Sequence, residues 1–230
     1  HHATAKTYKK LIENIREKVS KFKILGLTAT PFRTAENEQG ALQKVFTNDI
    51  IYKVDLRTLI ARGILSEPVF EEIQTEFDMT SQLNEKQLDN LKYFDIESIG
   101  KDLADSIAEN SQRNAVIVNQ YLKEKIRYKQ TLIFALNVTN AIALTSLFKN
   151  QGIKAEFVVS AIKDRMTGAN ISQLENKEKI DKFRRGDIEV LINVNILTEG
   201  TDLPGVQTIF LARPTISSIL MTQMIGRGLR

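Results

Sequence analysis

From Thr131 onward, short apolar runs alternate with helix-length segments, and this alternation limits the possible folds more than any other feature of the chain. A strand over 131–136 precedes a helix whose cap is predicted at Thr139 and whose stop is predicted at Gly152. A strand over 155–159 leads through a polar loop into a charged helix, 173–185, ended by Gly186. Residues 188–194 read as a buried strand and 208–211 as another, followed by a helix from about Ser217. Strands separated by helices need crossover connections, which give parallel strands with helices on both faces of the sheet. Ligands of such sheets sit at the carboxyl ends of the strands.

The first half is less regular. Residues 4–22 read as an amphipathic helix, with Tyr8, Leu11, Ile12, Ile15, Val19 and Phe22 at three- and four-residue steps. An apolar run at 24–27 predicts a strand that stops at Thr28-Ala29-Thr30-Pro31, because Pro31 lacks an amide hydrogen and biases Thr30 away from helix. Residues 50–54 suggest another strand, and Asp55 is placed to cap a short helix ending at Gly63. The stretch 78–128 is mostly helical in pattern, with caps expected at Thr80 and Ser111; 84–102, poorer in apolar residues, reads as a connection.

Composition excludes several function classes. The chain has no cysteine and only two histidines, adjacent at the start, so it offers neither a disulfide framework nor a thiolate or histidine zinc cage. No apolar run approaches about eighteen residues and no signal-peptide pattern appears, so a soluble cytoplasmic protein without membrane partners is expected. Thirty-two Lys and Arg against twenty-eight Asp and Glu leave a net charge of +4, which permits phosphate contacts without requiring them.

Two segments concentrate the chemistry. In the terminal octet Gln223-Met224-Ile225-Gly226-Arg227-Gly228-Leu229-Arg230, helical spacing predicts one face bearing Gln223, Arg227 and Arg230, and an apolar back of Leu220, Met221, Met224 and Ile225. One amide and two guanidiniums on one face suit an anionic ligand. Gly226 and Gly228 each cost about 1 kcal/mol against alanine in a helix, so they require a reason, such as close approach of a backbone or a phosphate. The second segment, Asn193 to Pro204, follows a strand directly. In it Gly200 allows a tight backbone path, Asp202 offers a carboxylate for ribose hydroxyls, and Thr198 offers a small hydroxyl near a phosphate.

Gln-x-x-Gly-Arg-x-x-Arg resembles motif VI of superfamily 2 helicases, and Thr198-Glu199-Gly200-Thr201-Asp202-Leu203-Pro204 resembles motif V. Thr28-Ala29-Thr30-Pro31-Phe32-Arg33 looks like motif III, and 131–135 sits where motif IV falls. Arg213-Pro214-Thr215 fits the DEAH-like bacterial branch related to restriction-enzyme motor subunits and DNA-repair helicases. His1 resembles the histidine of an Asp-Glu-x-His motif II; the alternative is a tag remnant.

This resemblance implies a RecA-like α/β fold. Residues 1–66 would be the end of a first RecA-like, ATP-binding domain, 67–110 a helical connection, and 111–230 a second RecA-like domain. It also implies an ATP-dependent helicase or translocase using ATP and Mg2+. In that family the second domain supplies arginines that stabilise charge on the transferred phosphoryl group. By position these would be Arg230 and Arg227. Gln223 would sense the gamma-phosphate or the attacking water, Gly200 and Asp202 would meet the nucleotide, and Thr28, Ala29 and Thr30 would couple nucleotide state to domain closure. Thr198 and Ser160 would contact nucleic acid, DNA rather than RNA, with Lys163 and Arg165 nearby.

No Gly-x-x-x-x-Gly-Lys-Ser/Thr phosphate loop occurs and no Asp-Glu pair precedes His1, so the chain alone is expected neither to bind ATP tightly nor to hydrolyse it. Nor is any wedge, nuclease or methyltransferase part recognisable. The competing reading is a non-catalytic RecA-like module that binds nucleic acid or a partner. A dinucleotide enzyme is disfavoured, since no Gly-x-Gly-x-x-Gly follows a strand.

Overall fold

The computed structural model describes residues 6–28, 45–46, 50–75, 85, 101–159, 172–194, 196–197, 203–213 and 218–229. The chain divides into two compact units, His1–Leu59 and Ile60–Arg230.

In the first unit, helix α1 (Lys6–Lys18) buries Ile12, and Arg16 Nη2 donates to the Val45 carbonyl at 2.7 Å. The helix is shorter than the 4–22 pattern suggests, and Val19 is 48% exposed. The strands expected at 24–27 and 50–54 are absent: these residues form no ladder among the described residues, and Leu25, Leu27, Ile51 and Tyr52 are exposed. An apolar run becomes a strand only when a neighbour accepts its backbone hydrogen bonds. Asp55 caps α2 (Leu56–Ala61) as expected, its carboxylate accepting the Thr58 amide and hydroxyl, each at 2.9 Å. Beyond the helix, Gly63 adopts φ +66°, a left-handed conformation that suits glycine.

The second unit is a parallel sheet covered on both faces. Helices α3 (Lys101–Glu109), α4 (Ser111–Lys123) and α5 (Lys125–Tyr128) precede β1 (Thr131–Phe134), α6 (Val138–Asn150), β2 (Ala155–Val159), α7 (Gln173–Arg184), β3 (Val190–Val194), β4 (Thr208–Leu211) and α8 (Ser218–Ile225). The strand order is β2-β3-β1-β4 and every pairing is parallel. Strands β1 and β3 are buried along their whole length, which is why they read as continuous apolar runs rather than alternating ones.

The chain steps from β1 out to β2 and back to β3, and right-handed crossovers in opposite directions place the two connecting helices on opposite faces. On one face Ile117, Val118 and Tyr121 of α4 and Ala141, Leu144 and Phe148 of α6 cover Ile133, Val190 and Ile192. Tyr121 and Phe148 meet edge to face at 5.4 Å. On the other, Phe183 of α7 and Met224 of α8 join Leu132, Phe134, Val158 and Leu191.

Two predicted caps are corrected. The cap of α4 is Asn110, not Ser111, and its side chain accepts the Arg113 amide at 2.8 Å. The cap of α6 is Asn137, not Thr139, accepting the Asn140 amide at 2.9 Å. In both, the asparagine holds extended backbone one or two residues before the hydroxyl, which is where a capping side chain reaches the first free amides. Thr80 lies outside the described residues. Gly152 and Gly186 end their helices at φ +73° and +82°. No helix among the described residues is long and apolar enough to cross a membrane.

Candidate functional site

The sheet register aligns the carboxyl ends of its strands. Phe134 of β1 pairs with Asn193 of β3 and Leu211 of β4, and Val158 of β2 pairs with Asn193. The chain therefore leaves β1 at Ala135, β2 at Val159, β3 at Val194 and β4 at Ala212 along one edge. The segments singled out from the sequence after β2, β3 and β4 all begin on that edge.

Asn193 organises the exit from β3. It is fully buried, and its Oδ1 accepts the amides of Ile196 at 3.1 Å and Leu197 at 3.0 Å, turning the chain immediately after the strand. Its Nδ2 is buried with no hydrogen-bond partner among the described residues. Leu197 and Leu203, which flank 198–202, are 0% and 3% exposed and belong to the same buried cluster as Met224 of α8. Leu197, Leu203 and helix α8 thus share one buried cluster.

Met224 drives α8 onto the sheet, while Gln223 and Arg227 are half-buried and the Arg227 Nε is enclosed. The expectation that Arg227 continues the helix face of Gln223 is corrected; Arg230, the third residue of that face, lies outside the described residues. Helix α8 closes at Ile225, and the chain tightens, with Gly226 N donating to Thr222 O at 2.9 Å and then Arg227 N to Met224 O at 3.2 Å and Gly228 N to Ile225 O at 2.9 Å. Arg227 sits in a turn, where two glycines disfavour continued helix. The predicted apolar back is narrower as well: Met224 is buried, Ile225 half-buried and Met221 exposed. A side chain at Gly228 would meet Ile209 Cδ1 at 3.0 Å, so close approach of an apolar side chain is one reason for that glycine.

Two buried arginines at the same edge went unrecognised or only partly recognised in the sequence. Arg113 of α4 donates through Nη2 to the Ala212 carbonyl, just past β4, and Arg213 follows at 3% exposure. Burial pushes both guanidiniums below the ordinary arginine value. Asparagines knit the exit from β1: Asn140 Oδ1 accepts the Leu136 amide at 3.3 Å, and its Nδ2 donates to Asn114 Oδ1 at 2.9 Å and Ala108 O at 3.1 Å. Asn193 alone carried a legible signal, a polar residue interrupting the run Val190-Leu191-Ile192.

Thr28 is exposed in the first unit. Ala29, Thr30, Ser160, Lys163, Arg165, Thr198, Gly200, Asp202, Arg230 and His1 lie outside the described residues. Among the described residues no group of three or more His, Asp or Glu side chains is placed to hold a metal ion.

This all-parallel sheet with helices on both faces has the RecA-like arrangement, and residues 112–230 match the helicase conserved C-terminal domain. The chain belongs to that family. Over 238 residues it is 32% identical to the Saccharomyces cerevisiae protein named "Putative ATP-dependent helicase IRC3", a match covering 100% of this chain and 31% of that protein. It is also 31% identical over 119 residues to UvrABC system protein B of Thermosipho africanus, covering 50% of this chain and 17% of that protein. Among solved structures it is similar to the C-terminal domain of the DEAD-box protein Dbp5, at 22% identity and a TM-score of 0.41, over 51% of this chain and 63% of that one. The chain spans about a third of the length of the Saccharomyces cerevisiae protein and of the Schizosaccharomyces pombe protein named "Putative mitochondrial ATP-dependent helicase irc3", 31% and 34%.

Proposed function

We propose that this chain is the part of an ATP-dependent helicase or translocase that closes the nucleotide site from the second RecA-like domain, and that its nucleic acid is DNA. In this reading 1–66 ends a first RecA-like domain, 67–110 connects, and 111–230 forms the second. What supports it is that Leu197 and Leu203, which flank 198–202, and Met224, three residues before Arg227, belong to one buried cluster on one face of the sheet.

The chemistry of the donors fits a triphosphate. Gln223 brings an amide, and Arg227 a guanidinium held half-buried where its field is less screened than in water. Arg227 and Arg230 stabilise charge building on the transferred phosphoryl group, and Gln223 orients the attacking water or the gamma-phosphate. Gly200 and Asp202 meet the nucleotide, Thr28, Ala29 and Thr30 couple its state to closure, and Thr198 and Ser160 touch the nucleic-acid backbone. ATP would bind with Mg2+, which would supply charge neutralisation at the phosphates; among the described residues none is assigned to hold it.

The test is ATP hydrolysis by the full-length protein with and without single-stranded DNA, duplex DNA and RNA, together with duplex unwinding. DNA-stimulated hydrolysis is expected. Absence of hydrolysis with every nucleic acid contradicts the reading and favours a non-catalytic binding module.

A further inference from the structure

The turn that carries Arg227 is tied to a segment far away in the sequence. Residues 64–75 form neither helix nor strand, yet they are fixed at two points. The Ser66 amide donates to the Leu229 carbonyl at 2.7 Å, joining the start of the second unit to its end. Five residues on, the Glu71 carboxylate accepts a two-pronged bond from Arg127, Nη1 to Oε1 at 2.6 Å and Nη2 to Oε2 at 2.8 Å, and a third from the Tyr128 hydroxyl at 3.0 Å.

The receiving side of this latch is rigid. Tyr128 is 5% exposed and stacks edge to face on Phe210 of β4 at 5.2 Å, while its carbonyl accepts the Thr208 hydroxyl at 2.9 Å. The Arg127 guanidinium lies 4.7 Å over the Tyr128 ring and is braced by Glu124 at 3.2 Å. The pair shifts reciprocally: the hydrogen bond with Glu71 raises the Arg127 pKa, and the bond from Arg127 holds the Glu71 carboxyl below its ordinary value.

The opposite end of the strap meets the least self-sufficient backbone of the site. Past Gly226 the chain is held by i to i−3 bonds from Arg227 and Gly228, and with two glycines its own preferences fix its path weakly. A bond from outside then has leverage over where that turn sits. Val69 and Phe70, between the anchors, are exposed, so core burial does not hold the strap in place. Its two hydrogen-bonded ends do.

We infer that residues 66–71 are a positioning strap: the Glu71–Arg127 latch holds the Ser66 amide on the Leu229 carbonyl and so sets the turn from which Arg227 reaches the phosphates. The inference rests on the role given to that arginine under Proposed function, but the strap itself can be tested without it.

Two measurements on the full-length protein decide it. In amide hydrogen exchange the wild type should protect Ser66 above Val69 and Phe70. Glu71→Gln should lower that protection about two- to fivefold, the scale of an exposed ion pair, while the amides of β1 and β3 stay unchanged. In ATP hydrolysis Glu71→Gln should lower kcat by a similar factor with KM for ATP unmoved, and the reversed pair Glu71→Arg with Arg127→Glu should recover most of the loss. A purely structural role would show as a lower Tm without this kcat effect or its rescue. An unprotected Ser66 in the wild type overturns the strap. Exchange that responds while kcat does not, or a loss that charge reversal fails to recover, overturns the positioning role. A wild type without any ATP hydrolysis contradicts the arginine assignment instead, and the exchange result still decides the strap.

Discussion

Gly228 lies against Ile209 so closely that a Cβ there would stand 3.0 Å from Cδ1 and 3.2 Å from Cγ1 of the isoleucine. This contact seats the turn after α8 on β4. Gly228→Ala should destabilise the domain by about 1–3 kcal/mol through overpacking. Ile209→Val alone should cost about 0.5–1.5 kcal/mol, but it removes the clashing methyl, so the double variant should be more stable than the two effects summed. Urea denaturation of the four proteins measures the coupling. Strict additivity would show that the glycine is required for some other reason.

The turn after β3 depends on one amide side chain. Asn193→Ala removes the acceptor for the half-buried Ile196 amide and the buried Leu197 amide. Leaving two such donors unsatisfied should cost about 2–4 kcal/mol, visible as a lower denaturation midpoint and as faster exchange at those two amides. A change below about 0.5 kcal/mol, the range of ordinary surface substitutions, would mean that the bonds do not hold the loop.

Glu189 makes the unit sensitive to acid. Its partial burial raises the pKa, but the Lys125 ammonium at 2.7 Å and the Lys154 amide at 3.0 Å lower it further, for a net value below the ordinary 4.5. A depressed carboxylate pKa adds stability that is fully present above the unfolded-state value and is lost as pH falls through the folded-state value. The wild type should therefore lose more stability on acidification than Glu189→Gln. Parallel stability-against-pH curves for the two proteins would contradict this.

The two halves of the chain were legible to different degrees. Strands 155–159 and 208–211 were readable to the residue because apolar runs between strong breakers leave little choice of boundary. The caps at Asn110 and Asn137 were assigned to nearby hydroxyls, since composition does not say which residue takes the extended backbone. The runs at 24–27 and 50–54 show the limit of periodicity: apolar character marks a segment for burial, but a strand also requires a ladder partner. Arg113 was invisible for a related reason, because its meaning lies in a carbonyl 99 residues away. In the octet, helical spacing overstated the geometry, because α8 ends at Ile225, just ahead of Gly226 and Gly228.

The central claim is that the end of this chain supplies the positive charge that an ATP-hydrolysing site needs. Steady-state ATP hydrolysis by the full-length protein, wild type against Arg230→Ala and Arg227→Ala, tests it most directly. Turnover should fall by about 10³ or more in Arg230→Ala, the usual loss for an arginine finger, and substantially in Arg227→Ala, with the fold intact by circular dichroism. Wild-type turnover in both variants would contradict the account.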